Sequence, residues 1–389
     1  MRVTGSEKGL SMLGPPPIVA PPAELVEGPL AATDVANAVG TVLEQVLDVR
    51  LRHSRAVDPV FAQELAGRLA AFVERGGKRL RTGFTYCGWR AAGGSGDTTA
   101  VLRTGAALEL IQASALVHDD VMDGSLRRRG APAMHVQLAR RHRTAGMHGS
   151  AESFGRSAAV LVGDLALAWA DDLLTETALG TAHGPRLHEE WRAMRTEMVA
   201  GQYRDLHAQA GRSSGADEAL AIATLKSALY TVARPLALGA SLAGADDHVL
   251  DALRAAGRCA GLAFQLRDDL LGAFGDPALT GKPADDDLRS RKRTYLLAVG
   301  VQLAEDADDH HAAATLAADP ESVHAVQQVR AVLEHTGARD LVEAKIEELT
   351  AVSLGHFDRT GAHPALRREF ATLVRQATGV PPRRAEGVA

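Results

Sequence analysis

The stretch Leu108–Gly130, LELIQASALVHDDVMDGSLRRRG, constrains this chain more than any other. It reads as an apolar helix whose end carries Asp119, Asp120 and Asp123, followed by Arg127, Arg128 and Arg129. On a helix, Asp119 and Asp123 lie one turn apart and share a face. Carboxylates so close repel one another, so something positive belongs between them. Hard oxygen ligands suit magnesium, which is commonly held by a few carboxylates plus substrate phosphates. The arginines are then placed to bind the same phosphates from the other side.

The rest of the chain favours helices around that stretch. Alanine and leucine are abundant, aromatics are 4%, and there is neither strand-like alternation nor a repeat of fixed period. At 389 residues and 46% hydrophobic, the chain has material for a large core. A Pro-rich run, Gly14-Pro15-Pro16-Pro17 and Pro21-Pro22, marks residues 1–30 as a flexible leader. No linker interrupts the chain after it. Residues 31–380 therefore read as one all-α domain, and 381–389 as a loose tail.

Net charge of −5 argues against a nucleic-acid binder. Cys87 and Cys259 form no metal-type spacing and no disulfide framework, which points to a reducing cytoplasm. The N-terminus shows no apolar signal segment, and no uncharged apolar run approaches the ~18 residues of a membrane span.

Along the chain, Val35, Val39, Val42, Val46 and Val49 recur at helical steps, and Asp58-Pro59 starts a second helix. Gly76-Gly77-Lys78-Arg79-Leu80-Arg81 opens another, with Lys78 and Arg81 on one face of its N-terminus, a natural anion site. Alone, that segment reads as a solvated basic turn. It is no Walker loop, because Arg79 stands where Ser or Thr should follow the lysine. Residues 140–156 read as a surface loop with solvated histidines. A helix over 187–211 holds Gly201-Gln202-Tyr203-Arg204-Asp205; one over 217–243 holds Lys226-Ser227 and should kink or break at Arg234-Pro235. A further apolar helix from Val249 ends in a second acidic pair, Asp268 and Asp269. Two acidic helix ends facing each other across a bundle, each with cations nearby, suit a substrate with a diphosphate head and a hydrocarbon tail.

These motifs together resemble the trans-isoprenyl diphosphate synthases (polyprenyl synthetases). GGKRLR at 76–81, DDVMD at 119–123, RRG at 128–130, GQYRD at 201–205, KS at 226–227, FQLRDD at 264–269 and GK at 281–282 occur in family order. The resemblance covers about Gly76 to Thr294. It implies a single large helical bundle of the isoprenoid synthase type with a central apolar cavity. The implied reaction joins isopentenyl diphosphate to an allylic primer, whether dimethylallyl, geranyl or farnesyl diphosphate. By the same resemblance, magnesium ions, three per active site, are held by Asp119 and Asp123 from one side and Asp268 from the other, with Asp120 and Asp269 supporting. Arg128, Lys226 and Lys282 grip the allylic diphosphate, and Lys292 closes over the phosphates. Lys78, Arg81, Arg129 and Gln112 grip isopentenyl diphosphate, and Gln265, Ser227 and Tyr230 line the cation region. The family is commonly homodimeric, so a homodimer is expected here.

One departure is that Gly272 stands where many members have a third aspartate of the second motif, and Asp276 lies beyond it. By the same resemblance, bulky aromatics beneath Asp119 would cap the tunnel; Ser114 and Ala115 are small there, which disfavours farnesyl diphosphate, and geranylgeranyl diphosphate is the expected product, with longer chains as the alternative. Ile111, Leu110 and Leu108 are expected as a deeper floor. A terpene cyclase is disfavoured, since the only asparagine is Asn37. A non-catalytic partner subunit would be expected to lose the charged residues present here.

Overall fold

The computed structural model describes residues 32–211, 215–275, 288, 292, 294–318 and 322–381. The leader, Asp276, the 280–287 segment with Lys282, and residues 382–389 lie outside these.

The architecture is a helical bundle. Its first half is α1 (Ala32–Val57), α2 (Pro59–Phe61), which winds through a π-helical turn at Ala62–Ala66 into α3 (Gly67–Glu74), α4 (Leu80–Ala91) and α5 (Thr99–Met122). Next come α6 (Met134–Thr144), α7 (Ala151–Leu179) and α8 (Gly184–Gly211). Then α9 (Ala216–Ala223), a π-helical segment (Thr224–Ala233) and α10 (Arg234–Leu242) follow without a break, leading to α11 (Asp247–Phe274). The C-terminal part is α12 (Tyr295–Asp306), α13 (His310–Ala317), α14 (Val323–His335), α15 (Ala338–Asp358) and α16 (Pro364–Thr378).

The valine stripe on α1 does what its period dictates: Val35, Val39, Val42 and Val46 are buried, where α1 packs against α5, α4 and α3. Asp58 caps α2, accepting the Phe61 N–H at 2.6 Å, with Pro59 at the first position. The helix α5 is central. Leu108, Leu110 and Ile111 are sealed in the core, and α7 packs along its length. By length and composition α5 is apolar enough to cross a membrane, although Arg103, Glu109 and Asp119 interrupt it and leave no uncharged run of that length. It owes that character to burial, since 67% of the qualifying window lies inside the protein.

Three local expectations are corrected. Residues 140–156 are mostly helix, because α6 runs to Thr144 and Ser150 caps α7 by accepting the Ser153 N–H. The histidines there are not all solvated: His142 is buried on the inner face of α6, 3.0 Å from the His148 carbonyl. Arg234-Pro235 does not break its helix. The preceding turns are wound with i→i+5 bonds, as from the Arg234 N–H to the Leu229 carbonyl, and Pro235, which has no N–H to place, follows directly on this widened turn as α10 begins. A two-residue antiparallel pair, Arg127–Arg128 (β1) with Ala131–Pro132 (β2), is present where no strand was expected.

Candidate active site

The β1–β2 pair aims the arginines. Its loop residues Arg129 and Gly130 have φ of 51° and 73°, the two left-handed positions of a type I′ hairpin. The turn sends neighbouring arginines in different directions. Arg128 folds back onto the end of α5, where its Nε donates to Asp120 Oδ1 at 2.8 Å and its Nη2 to Asp119 Oδ2 at 3.1 Å. Arg129 lies over the Phe72 ring at 5.2 Å, beside Gly77 of the GGKRLR turn.

Asp119 is also met from the opposite wall. Lys226, on the π-helical segment, stands 3.1 Å from its Oδ1 and 2.6 Å from Asp205 Oδ2 of α8. Burial works against the charge on Asp119, but Lys226, Arg128 and Lys292 outweigh it and hold the carboxyl below its ordinary value. Burial likewise opposes the Lys226 ammonium, and Asp119 and Asp205 reverse it. Both groups are therefore charged near neutrality. Asp120, fully buried, behaves differently: burial pushes its carboxyl up to about 6 against the pull of Arg128.

Beneath these charges is a cavity of about 1260 Å³. Its wall includes Arg81, Gln112, Ser114, Ala115, Asp119, Arg128, Lys226, Ser227, Tyr230, Gln265, Asp268, Asp269 and Lys292, twelve of them site residues expected from sequence and Tyr230 the thirteenth. Leu167, Met198, Ile222 and Phe264 give the lower wall its apolar character. Gln265 donates to Asp269 Oδ1 at 2.8 Å, one turn along α11. Arg81 lies 4.0 Å over the Tyr230 ring and donates to Thr231 Oγ1 at 3.0 Å. Burial pushes the Tyr230 phenol up to about 12, so it stays neutral.

Other expected residues lie off this wall. Lys78 is exposed on the GGKRLR turn, Asp123 is exposed at the end of α5, and Asp120 is turned into the protein. Lys282 lies outside the described residues. Of the expected floor, only Ile111 reaches the cavity; Leu110 is on the opposite face of α5 from Asp119, and Leu108, on the same face one turn below Gln112, is fully buried in the core. Arg79, inside the motif, is structural: it caps α4 in a left-handed conformation and donates to the Ala36 carbonyl at 2.5 Å.

Three buried groups were missed. Asp205 is 2% exposed and positions Lys226. Thr231 accepts from Arg81. Glu109, also buried, sits in the field of Arg81, Arg79 and Arg129. The signal for Asp205 was available, since it follows Gly201 by one helical turn within GQYRD.

Among the described residues, no three His, Cys, Asp or Glu side chains converge as a ready-made metal cage. The acidic groups instead stand on two walls, Asp119 on α5 and Asp268 and Asp269 on α11. Asp120 Oδ2 is buried without a hydrogen-bond partner. Such a donor set fits magnesium, which takes one or two carboxylates and completes its shell with substrate phosphates.

A helical bundle around an apolar cavity with a mouth of opposed carboxylates and cations defines an isoprenoid synthase. The chain belongs to the polyprenyl synthetase family, whose sequence model matches residues 62–333, and it is a trans-prenyltransferase. It is 32% identical to the geranylgeranyl diphosphate synthase of Mycobacterium tuberculosis over 70% of this chain and 72% of that one. It is 35% identical to a (2E,6E)-farnesyl diphosphate synthase of Mycobacterium bovis, over 56% of this chain and only 55% of the relative. A solved geranylgeranyl pyrophosphate synthase from Corynebacterium glutamicum, complexed with isoprenyl diphosphate and magnesium, superposes with a TM-score of 0.85. It is 38% identical, covering 90% of this chain and 99% of that one.

Proposed function

We propose that this enzyme is a magnesium-dependent geranylgeranyl diphosphate synthase, condensing isopentenyl diphosphate with an allylic diphosphate. The observation that carries the product assignment is the pair Ser114 and Ala115, small side chains on the cavity wall one turn below Asp119. Nothing aromatic stands there to stop a chain early. The likeness to two geranylgeranyl synthases supports the same reading.

The allylic diphosphate sits at the mouth, between Asp119 and Asp268, with Arg128, Lys226 and Lys292 at its oxygens and Lys282 expected beside them. Bound magnesium supplies Lewis-acid stabilisation of the leaving diphosphate, and Asp119, Asp123 and Asp268 would hold it, with Asp120 and Asp269 behind them. Ionisation of the allylic C–O bond builds negative charge on the diphosphate, and fixed cations lower that barrier without reorganising. The allylic cation is left facing Gln265, Ser227 and the neutral Tyr230 ring. Arg81, Lys78, Arg129 and Gln112 hold isopentenyl diphosphate so that its double bond attacks the cation. The departing diphosphate takes the proton then lost. The apolar wall below excludes water from the cation.

Exposed Leu161, Leu179 and Val199 on α7 and α8 support a homodimer, which light scattering would measure. The deciding assay combines the enzyme with magnesium, isopentenyl diphosphate and each of dimethylallyl, geranyl and farnesyl diphosphate. Mass spectrometry of the dephosphorylated products should give geranylgeraniol as the end point. No product from any primer would overturn the reading.

A further inference from the structure

Small residues under Asp119 explain why growth is not stopped early, but not why it stops. The far end of the cavity carries a charged group that the reaction does not use. Two arginines of α8 are on this part of the wall, Arg195 and, one turn further, the exposed Arg192; it is the Arg195 guanidinium that is ion-paired to Asp171 of α7. Asp171 also accepts the indole N–H of Trp191 at 2.6 Å, and Trp191 is 1% exposed. The aspartate is therefore held in place, and it holds Arg195. Arg195 Nε is buried without a hydrogen-bond partner.

Contacts along α5 and α7 fix the level of this group. His118, beside Asp119, meets the Val160 carbonyl at 3.2 Å and Asp164 at 3.4 Å. Arg103, near the other end of α5, meets Glu176 at 2.9 Å and Thr177 at 3.2 Å. The two helices run antiparallel, so Asp171 falls well below the mouth. On α8, Arg195 lies roughly 15 Å down the axis from Asp205, at the helical rise per residue. Ile111, the α5 wall residue furthest from Asp119, is at the same end.

We propose that Arg195, pinned by Asp171, is the floor that ends prenyl-chain growth. A hydrocarbon end reaching this level can advance only by covering a guanidinium with apolar groups and disturbing its ion pair. Both are unfavourable, while one more isoprene unit gains only ordinary apolar burial. The inference rests on the prenyl-elongating reading of the cavity and adds its length-determining residue.

The test compares products of the wild type with those of Arg195→Ala and Arg195→Lys, by mass spectrometry after dephosphorylation, with thermal melting to establish that each is folded. The alanine enzyme should lengthen its main product by at least one five-carbon unit. The lysine enzyme, which keeps a cation at the floor, should retain the wild-type length. Should the alanine enzyme not fold with Asp171 unpaired, Arg195→Met fills the space without the charge and is expected to lengthen the product likewise. A folded alanine or methionine enzyme with the wild-type distribution overturns the proposal, as does a lysine enzyme that lengthens its product as much as alanine. A wild type that ends at farnesyl diphosphate would correct the product named above and leave the floor standing, because the floor is read from the shift.

Discussion

Lys226 stands 3.1 Å from Asp119 across the mouth of the cavity, although one belongs to a π-wound segment and the other to the end of an α-helix. Asp205 holds the ammonium from behind at 2.6 Å. Removing the lysine therefore has two separable effects. Lys226→Met should lower kcat/KM by about 100-fold or more, the scale for loss of one preorganised charge. It should also cost about 3 kcal/mol, because Asp205 is left buried and unpaired. Adding Asp205→Asn should restore stability to chemical denaturation while steady-state activity stays low.

Backbone approach sets the same geometry. A Cβ at Gly201 would stand 2.3 Å from the backbone nitrogen of Lys226, so only glycine lets α8 lie against the π-helical segment. Gly201→Ala should cost roughly 1–3 kcal/mol by overpacking and lower kcat by displacing Lys226. Gly211→Ala, at the end of the same helix with nothing within 4 Å, should leave melting temperature and kcat unchanged or slightly improved.

Much of this site was legible in sequence because charged residues in apolar helices declare themselves. Asp119, Asp268 and Lys226 interrupt hydrophobic runs, and the residues one turn away share their face. Asp205 was less visible because Arg204 and Gln202 beside it make the whole stretch look like a solvated face. The π winding left no sign at all: Pro235 reads as a breaker, and only the wider turn before it shows why the helix survives. The 140–156 segment misled for the converse reason. Arg140 and Arg143 are on the outer face of α6, while Met134, Leu138 and Ala139, just before the segment, lie inside with His142.

The upper wall of the cavity offers a test by filling. Ser114→Phe places an aromatic one turn below Asp119, and should shorten the main product by at least one five-carbon unit. Product analysis by mass spectrometry checks this; an unchanged length would mean that the chain runs elsewhere.

Glu109 gives a pH signature separate from the carboxylates at the cavity mouth. Burial raises its carboxyl above the ordinary 4.5, with Arg81, Arg79 and Arg129 opposing. A carboxyl raised in the folded state binds its proton more tightly there than in the unfolded chain. The stabilisation is complete below about pH 4.5 and is lost as pH rises through the folded value. Glu109→Gln lacks this titration. The stability of wild type relative to Glu109→Gln should therefore fall from pH 4 towards neutrality, as measured by denaturant unfolding at each pH.

The π-wound segment serves two audiences on one rod. Lys226 faces the mouth of the cavity, while Arg234, where the segment passes into α10, donates to Glu197 at 2.8 Å and Glu190 at 2.5 Å. The extra residue in the wider turn sets the angle between those two charges. Such a segment can exchange many of its letters and keep that angle, but it cannot change their number. Deleting one residue between Thr224 and Ala233 would let it rewind as an ordinary helix, and either the lysine or the arginine would then point away from its partners.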